Sequence, residues 1–280
     1  MKKISTKPTM LVEDVFDDCV SSFNESTVRI HYNSIRANAL TASVNLDGTF
    51  ASKTAHTILP HNTIGPIPVT KDDMIKLYNE KLVKSAKGRS YYNKLRLLAD
   101  NDVCPNCGVR KVRTLDHFMA KSKYPIYAVT PINLYPCCSD CNTDKKSLVY
   151  TSYSDTPINP YYDDYDNDEW LSASFNIIES LPIFNFYVNT PATWAAIDTI
   201  KINNHCKVFK LFELFAKEAT SEFISIKGYI TCLKIVGDQN GLKQYFDQMY
   251  KGNKSVDLNS YKTAMYKCLM INYAAIYNVL

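Results

Sequence analysis

Apolar side chains recur at helical spacing in some stretches of the chain and not in others. Residues 8–23 carry apolar positions three and four apart, which predicts a helix. Residues 71–99 carry two such stripes, with Gly88 as the expected break between them. Residues 44–70 are rich in threonine, asparagine, histidine and proline, which predicts extended or irregular backbone.

The second half of the chain shows two further patterns. Residues 151–168 are rich in turn formers and predict a linker. Polar and apolar positions then alternate over two short stretches, which predicts strands at 171–178 and 182–188. Helical spacing returns after them and predicts helices at 193–198, 205–233, 241–250 and 256–279. These patterns together predict the α+β fold class, with mostly helical N- and C-terminal regions around a compact cysteine-rich core.

We expect four regions along the chain. Residues 1–69 are a mixed or irregular N-terminal region that is a candidate for partner binding, and residues 70–99 are a basic helical segment. Residues 100–150 are the cysteine-rich core, and residues 151–280 are a mostly helical C-terminal domain. Acidic residues precede the first apolar run, which is unlike a signal peptide. No window approaches 18 uncharged apolar residues, so we expect no membrane span and a cytoplasmic protein.

Five of the nine cysteines fall within 38 positions, and four of them form two C-x-x-C pairs. The pairs are Cys104/Cys107 and Cys138/Cys141, with 30 residues between them. Each pair can present two thiolates to one ion, so together they predict a tetrahedral Cys₄ zinc site. Such a site has no open coordination position, and the zinc would be structural. The spacing favours Cys138 as a ligand, but its neighbour Cys137 is an alternative.

Positive charge is concentrated around these cysteines. Residues 70–150 contain 15 lysines and arginines against 8 aspartates and glutamates, a local net charge of +7, whereas the rest of the chain has a net charge of −3. This distribution is expected of a region that contacts nucleic acid. A solvated basic surface is the alternative explanation.

The segment between and after the two cysteine pairs contains a recognisable series of polar residues. The pair Asp116-His117 is followed by Asn133 and then by the C-x-x-C-N-x-x-K sequence that ends in Asn142 and Lys145. This series resembles the ββα-metal motif of HNH endonucleases, in a variant whose last signature residue is asparagine. The resemblance implies a ββα-metal nuclease core and the hydrolysis of phosphodiester bonds.

The chemistry of phosphodiester hydrolysis assigns a role to two of these residues. His117 titrates near neutral pH and can accept the proton of an attacking water. Asp116 offers a hard carboxylate that suits Mg²⁺ or Mn²⁺. By resemblance to the family, Asn142 is the second ligand of that catalytic cation, and Asn133 orients the histidine and the hairpin. Lys145, and less strongly Lys146, would bind a substrate phosphate.

The resemblance extends to stand-alone bacterial HNH proteins of the PtuB type, from Septu and retron-linked phage defence, through the segments 159–164 and 170–173. It implies an ABC-type ATPase partner similar to PtuA. Closely spaced apolar residues between Phe209 and Phe215 would then be a docking surface, although core packing explains them equally well. DNA is the favoured substrate, and RNA such as tRNA is the variant within the same class. The rival hypotheses are a non-catalytic, zinc-stabilised nucleic-acid-binding or scaffold protein and a stand-alone restriction-type HNH enzyme.

Overall fold

The computed structural model describes residues 2–178 and 181–279. The chain divides into two compact units, an N-terminal unit of Lys3–Asp163 and a C-terminal unit that begins at Asp164. The first three predicted regions therefore share one unit, together with the first part of the fourth. Helices and small two-stranded sheets make up both units, which confirms a mixed α/β protein. None of the helices in the described ranges combines the length and apolar character needed to cross a bilayer.

The N-terminal unit contains six α-helices and four short strands among the described residues. In chain order the elements are α1 (Val12–Ser21), α2 (Ser26–Asn33), α3 (Arg36–Ala51), β1 (Thr63–Ile64), β2 (Val69–Thr70), α4 (Lys71–Lys76), α5 (Ala86–Arg96), β3 (Thr114–His117), β4 (Leu134–Cys137) and α6 (Ser139–Lys145). A π-helical segment, Leu77–Leu82, continues α4 directly. β1 pairs with β2, and β3 pairs with β4, both antiparallel.

Helix α3 corrects the expectation of irregular backbone from residue 44 onward. It continues to Ala51, so the irregular stretch begins only at Ser52. Its buried positions are Ala39, Ser43, Leu46 and Phe50, which are three and four residues apart. Leu46 and Phe50 are the only two of them after residue 44, so this part of the helix shows no continuous apolar stripe in the sequence.

Gly88 lies inside α5 and does not break the helix, contrary to the sequence prediction. The break falls between Leu82 and Ala86, where Ser85 caps α5 by accepting a hydrogen bond from the Gly88 N–H at 3.1 Å. A Cβ atom built on Gly88 would lie 2.0 Å from the Lys81 carbonyl oxygen. Glycine is therefore required here because two backbone segments approach each other closely.

The core of the N-terminal unit supports the hairpin that carries the predicted site. Phe23 stacks on Tyr32 with ring centroids 5.0 Å apart, and both belong to a continuous cluster that includes Leu115 of β3 and Leu134 of β4. The hairpin thus packs one residue of each strand against helices α1 to α5. This packing gives the neighbouring polar residues of the hairpin a fixed backbone.

The C-terminal unit contains an antiparallel hairpin and five helices among its described residues. The elements are β5 (Leu171–Ile178), β6 (Leu181–Val188), α7 (Ala196–Val208), α8 (Leu211–Ile235), α9 (Gln239–Val256), α10 (Tyr261–Ile271) and α11 (Tyr273–Val279). The two strands confirm the alternation seen in the sequence. The C-terminal part is helical as predicted, but the bounds differ. The helix predicted at 205–233 is divided between α7 and α8, the helix predicted at 193–198 begins only at Ala196, and the last predicted helix is divided mainly between α10 and α11.

The apolar residues around Phe209–Phe215 are part of the core of the C-terminal unit. Phe215 of α8 packs on Phe186 of β6 with ring centroids 5.6 Å apart, and Phe209, Leu211 and Leu214 are buried as well. Core packing therefore accounts for this stripe, and the alternative of a docking surface is wrong for its buried members.

Candidate metal centre and active site

The site is carried by three consecutive elements in the order β3, β4 and α6. In the strand register Asp116 lies opposite Tyr135, and His117 lies opposite Leu134. Successive residues of a strand point to opposite faces, so the Asp116 and His117 side chains leave β3 in different directions. Helix α6 begins two residues after β4 ends.

Both C-x-x-C pairs adopt tight turns in which backbone N–H groups donate to sulfur. The Arg110 N–H donates to Cys107 Sγ at 3.4 Å, and the Cys141 N–H donates to Cys138 Sγ at 3.4 Å. The first turn needs the positive φ of Gly108, 66°, which a glycine adopts without steric cost. In the second turn Cys138 is the N-cap residue of α6.

The four predicted sulfurs converge. The Sγ atoms of Cys104, Cys107, Cys138 and Cys141 all lie within 4.8 Å of one another, and all four residues are buried. Tetrahedral zinc with Zn–S bonds of about 2.3 Å needs sulfurs about 3.8 Å apart, so the set fits a zinc ion after a small contraction. A metal such as zinc can therefore be held here, with Cys138 in the group.

Cys137 lies beside the cluster without belonging to it. Its Sγ is 3.9 Å from that of Cys104 and accepts a hydrogen bond from the Asn106 amide at 3.4 Å. The group of sulfurs that all lie within 4.8 Å of one another contains Cys138 and not Cys137.

An ion pair joins the two turns at the surface. Arg110 Nε lies 2.8 Å from Asp140 Oδ2, and both side chains are partly exposed. Solvent screens such a pair, so its contribution to stability is small. The ion pair nevertheless holds a residue of the first C-x-x-C turn, Arg110, against a residue of the second, Asp140, without the help of a metal.

His117 is enclosed and held in one tautomer. Its side chain is buried, its Nε2 lies 2.8 Å from the Ala128 carbonyl oxygen, and its ring packs on Tyr78 with centroids 4.5 Å apart. Because a carbonyl can only accept, Nε2 carries the proton and the neutral ring has its lone pair on Nδ1. Burial lowers the pKa of His117 well below its usual value, and the positive charge of Lys121 lowers it further.

The Asp116 carboxylate is buried in a network of three donors. Oδ1 accepts from the His117 N–H at 2.7 Å and from Lys145 Nζ at 3.1 Å, and Oδ2 accepts from the Tyr135 hydroxyl at 2.8 Å. A carboxylate can accept about four hydrogen bonds, so about one position, on Oδ2, is left for a cation. Asp116 can therefore serve as a single-oxygen ligand without losing these partners.

The structure places the two predicted phosphate-binding lysines in different environments. Lys145 is 1% exposed, and its ammonium also donates to the His117 carbonyl oxygen at 2.6 Å. In this arrangement Lys145 fixes Asp116 to α6 and does not face a substrate. Lys146 is exposed at the end of α6, where it adopts a φ of 55°, a conformation unusual for a residue with a side chain.

Asn133 fastens the long loop between β3 and β4. Its Oδ1 accepts from the Met119 N–H at 2.7 Å, and its Nδ2 donates to the carbonyl oxygens of Met119 at 3.0 Å and Tyr127 at 3.1 Å. The side chain is fully buried. Because Ala128 follows Tyr127 directly, this bonding also fixes the carbonyl that orients His117.

Asn142 lies on α6 and is partly buried. It is three residues before Lys145, and residues three apart are neighbours on a helix surface. The Lys145 ammonium contacts Asp116 directly, and Asn142 lies about one helical turn before it on α6. The structure thus joins Asp116, His117 and Lys145 by direct hydrogen bonds, whereas the Asn133 side chain bonds to the loop residues Met119 and Tyr127.

Sequence reasoning missed three residues of this site. Tyr78 was assigned only to an apolar helical stripe, yet its ring contacts His117. Tyr135 could have been found from strand alternation, because in a hairpin it falls opposite Asp116. Apart from its charge, nothing in the sequence indicated that Lys121 belongs to the site. In the structure its Nζ lies 4.4 Å from the Tyr78 ring centroid.

Comparison with known proteins places the chain in a family. No family model matches it, and no solved structure matches it. Protein ea31 of Escherichia phage lambda is similar, with 30% identity over 217 residues, which is 72% of this chain and 72% of ea31. Identity at this level over most of both chains indicates common descent, and the chain therefore belongs to the family of the phage lambda protein ea31.

Proposed function

We propose that the protein is a metal-dependent endonuclease of the HNH type, which hydrolyses phosphodiester bonds in nucleic acid and favours DNA. The observation that carries the proposal is the orientation of His117. Its Nε2 proton is fixed on the Ala128 carbonyl, which leaves Nδ1 of the buried ring as the basic atom. The proposal is also supported by the carboxylate of the preceding residue, by the four-cysteine cluster and by the chain order of β3, β4 and α6.

The residues fit two different metal sites. The four buried cysteines would hold a structural zinc, because they supply all four ligands. Asp116 and the amide of Asn142 would hold Mg²⁺ or Mn²⁺, which prefer oxygen ligands. Such a cation, when bound, neutralises charge on the scissile phosphate.

The protein's own groups account for the proton transfer. Nδ1 of His117 would accept the proton of the attacking water, and the lowered pKa of His117 keeps it in the neutral form that can do so. Asn133 holds the loop whose Ala128 carbonyl anchors the ring. Lys145 and Tyr135 hold the carboxylate of Asp116 in one orientation.

The proposal extends to a partner. The resemblance to PtuB-type proteins supports an ABC-type ATPase that restrains the nuclease as part of anti-phage defence. One relative of the chain, ea31, is a phage protein. Co-purification of the protein with an ATPase encoded beside its gene, and suppression of cleavage in that complex, would test this part separately.

A second candidate function is supported by the burial of Asp116 and Lys145. Their side chains are 6% and 1% exposed and form a direct ion pair. A site whose carboxylate serves only to hold a helix would have this appearance, and the protein would then be a zinc-stabilised nucleic-acid-binding or scaffold protein without catalysis.

Substitution of His117 separates the two functions. Plasmid DNA and total RNA are incubated with purified protein in Mg²⁺, Mn²⁺ or EDTA. We expect His117→Ala to lower the cleavage rate by about 10²–10⁴-fold, the usual contribution of a general base, while zinc content and nucleic-acid binding are retained. His31→Ala is the matched control, because His31 is a partly exposed residue of α2 beside Asp73. Undiminished cleavage by His117→Ala would remove the proposed base.

A further inference from the structure

The loop between β3 and β4 brings a lysine to the same aromatic ring that packs on His117. Lys121 Nζ lies 4.4 Å from the centroid of the Tyr78 ring, and the His117 ring lies 4.5 Å from the same centroid. The positive charge of Lys121 is close enough to lower the pKa of His117. Tyr78 therefore has both the ammonium group of Lys121 and the imidazole of His117 as direct neighbours.

The Lys121 ammonium makes no hydrogen bond and no ion pair with another described residue. The side chain is partly buried, and burial lowers the pKa of Lys121 while the charge of Asp116 raises it. An ammonium group has three N–H donors, and the face of Tyr78 satisfies them only in part. A partly dry cation with unused donors is suited to binding an anion.

The surroundings of the loop favour a phosphate as that anion. The Ser122 hydroxyl donates to the Ser147 hydroxyl at 2.7 Å, which ties the residue after Lys121 to the residue after Lys146. The loop that carries Lys121 is therefore in contact with the segment that follows α6 and the exposed Lys146. Lys145 is already engaged by Asp116, so it does not supply a free cation here.

We propose that Lys121 is a catalytic residue that contacts a non-bridging oxygen of the scissile phosphate and neutralises charge that develops there in the transition state. This inference rests on the proposed nuclease function and adds the residue that receives the phosphate next to His117. Preorganised positive charge at such an oxygen acts most strongly in a partly dehydrated pocket. The substrate group it recognises is the phosphodiester of a nucleic-acid backbone.

The test compares Lys121→Met, which keeps the packing on Tyr78, with Lys121→Arg and Lys123→Met. Lys123 is an exposed lysine two residues along the same loop and serves as the matched control. Cleavage of a short DNA duplex is measured at saturating protein in Mg²⁺, and binding of the same duplex is measured in EDTA as a function of salt. Zinc content and circular dichroism report folding.

We expect Lys121→Met to lower the single-turnover rate by about 10²–10³-fold and to reduce the slope of log affinity against log salt by about 1. Lys121→Arg should recover most of the rate, and Lys123→Met should stay within about threefold of the unmodified protein at saturation. A reduced salt slope in a protein that cleaves nothing would support the phosphate contact and reject the nuclease function. An unchanged rate and an unchanged slope in Lys121→Met would overturn the inference.

Discussion

Single residues of the site differ in how far the sequence could place them. The motif located His117 and Asn133, and their roles follow from residue type, since an imidazole can transfer a proton and an amide can join two backbone segments. The motif predicted that Lys145 binds a substrate phosphate, whereas in the structure its ammonium group donates to the Asp116 carboxylate. The position of Lys145 along α6 determines the direction of its side chain but not how deeply it is buried. The sequence therefore could not show whether Lys145 binds a phosphate or Asp116.

Lys145→Met tests the structural importance of this buried ion pair. Removing the ammonium leaves the Asp116 carboxylate buried with fewer partners, and loss of one member of a buried pair costs about 3–5 kcal/mol. The double variant Asp116→Asn/Lys145→Met should be less destabilised than Lys145→Met alone, because no unpaired charge remains. Urea unfolding of the zinc-loaded proteins measures both. A single variant within about 1 kcal/mol of the unmodified protein would show that the pair is not stabilising.

The lowered pKa of His117 predicts a specific pH dependence of activity. Burial and the charge of Lys121 keep the imidazole neutral in the folded protein below its usual pKa of about 6.5. The single-turnover rate at saturating Mg²⁺ should therefore stay nearly constant from about pH 7.5 to about pH 6.5 and decline only at lower pH. A decline centred at or above about pH 6.5 would contradict the assignment of His117 as a buried base.

The lowered pKa of His117 also makes the free energy of unfolding depend on pH in a predictable direction. The unfolded chain takes up a proton at His117 near pH 6.5, whereas the folded chain takes it up only at lower pH. The contribution of His117 to the free energy of unfolding is therefore complete above about pH 6.5 and is lost as the pH falls toward the folded pKa. His117→Gln should lose this component, which urea unfolding at a series of pH values would measure against the unmodified protein.

Secondary structure elements were predictable where side-chain pattern alone determines them. The alternation over β5 and β6 and the apolar stripe of α1 are local signals, and all three elements are present. Helix α3 was missed over its last turns because Leu46 and Phe50 are the only buried residues between 44 and 51, which are too few to form an apolar stripe. The position of Gly88 inside α5 was not predicted, because it depends on a close approach between two backbone segments that the local sequence pattern does not reveal.

The two C-x-x-C turns make a prediction about the elements that they join. Cys138→Ser should lose zinc and unfold the β3–β4–α6 region, because metal-binding free energy in such sites is folding free energy. Cys137→Ser is the matched control and should keep about one zinc per chain, since its sulfur lies outside the converging group. Elemental analysis and thermal unfolding measure the two variants. Loss of zinc from Cys137→Ser with retention in Cys138→Ser would reverse the assignment of the ligand.

At the scale of the whole molecule, the sequence indicated the order of regions but not their grouping. The C-terminal region was expected to begin at residue 151, whereas the boundary between the two units falls between Asp163 and Asp164, inside the predicted linker of residues 151–168. Residues before the boundary are bonded into the N-terminal unit, since the Tyr161 hydroxyl donates to the Leu134 carbonyl oxygen at 2.8 Å and the Ile4 N–H donates to the Pro160 carbonyl oxygen at 2.8 Å. Turn-forming residues are common to linkers and to ordered loops, so composition could not separate the two.

This boundary predicts that a fragment of residues 2–163 folds without the rest of the chain. The fragment contains its own apolar core, all four cysteines and every residue of the proposed active site. We expect it to unfold cooperatively, to bind about one zinc per chain and to cleave nucleic acid in Mg²⁺ in a manner that His117→Ala abolishes. A fragment ending at residue 150 is the matched control, and it should be less stable because it lacks the Tyr161 and Pro160 bonds. Calorimetry and zinc analysis compare them, and equal stability of the two fragments would place the boundary where the sequence first suggested it.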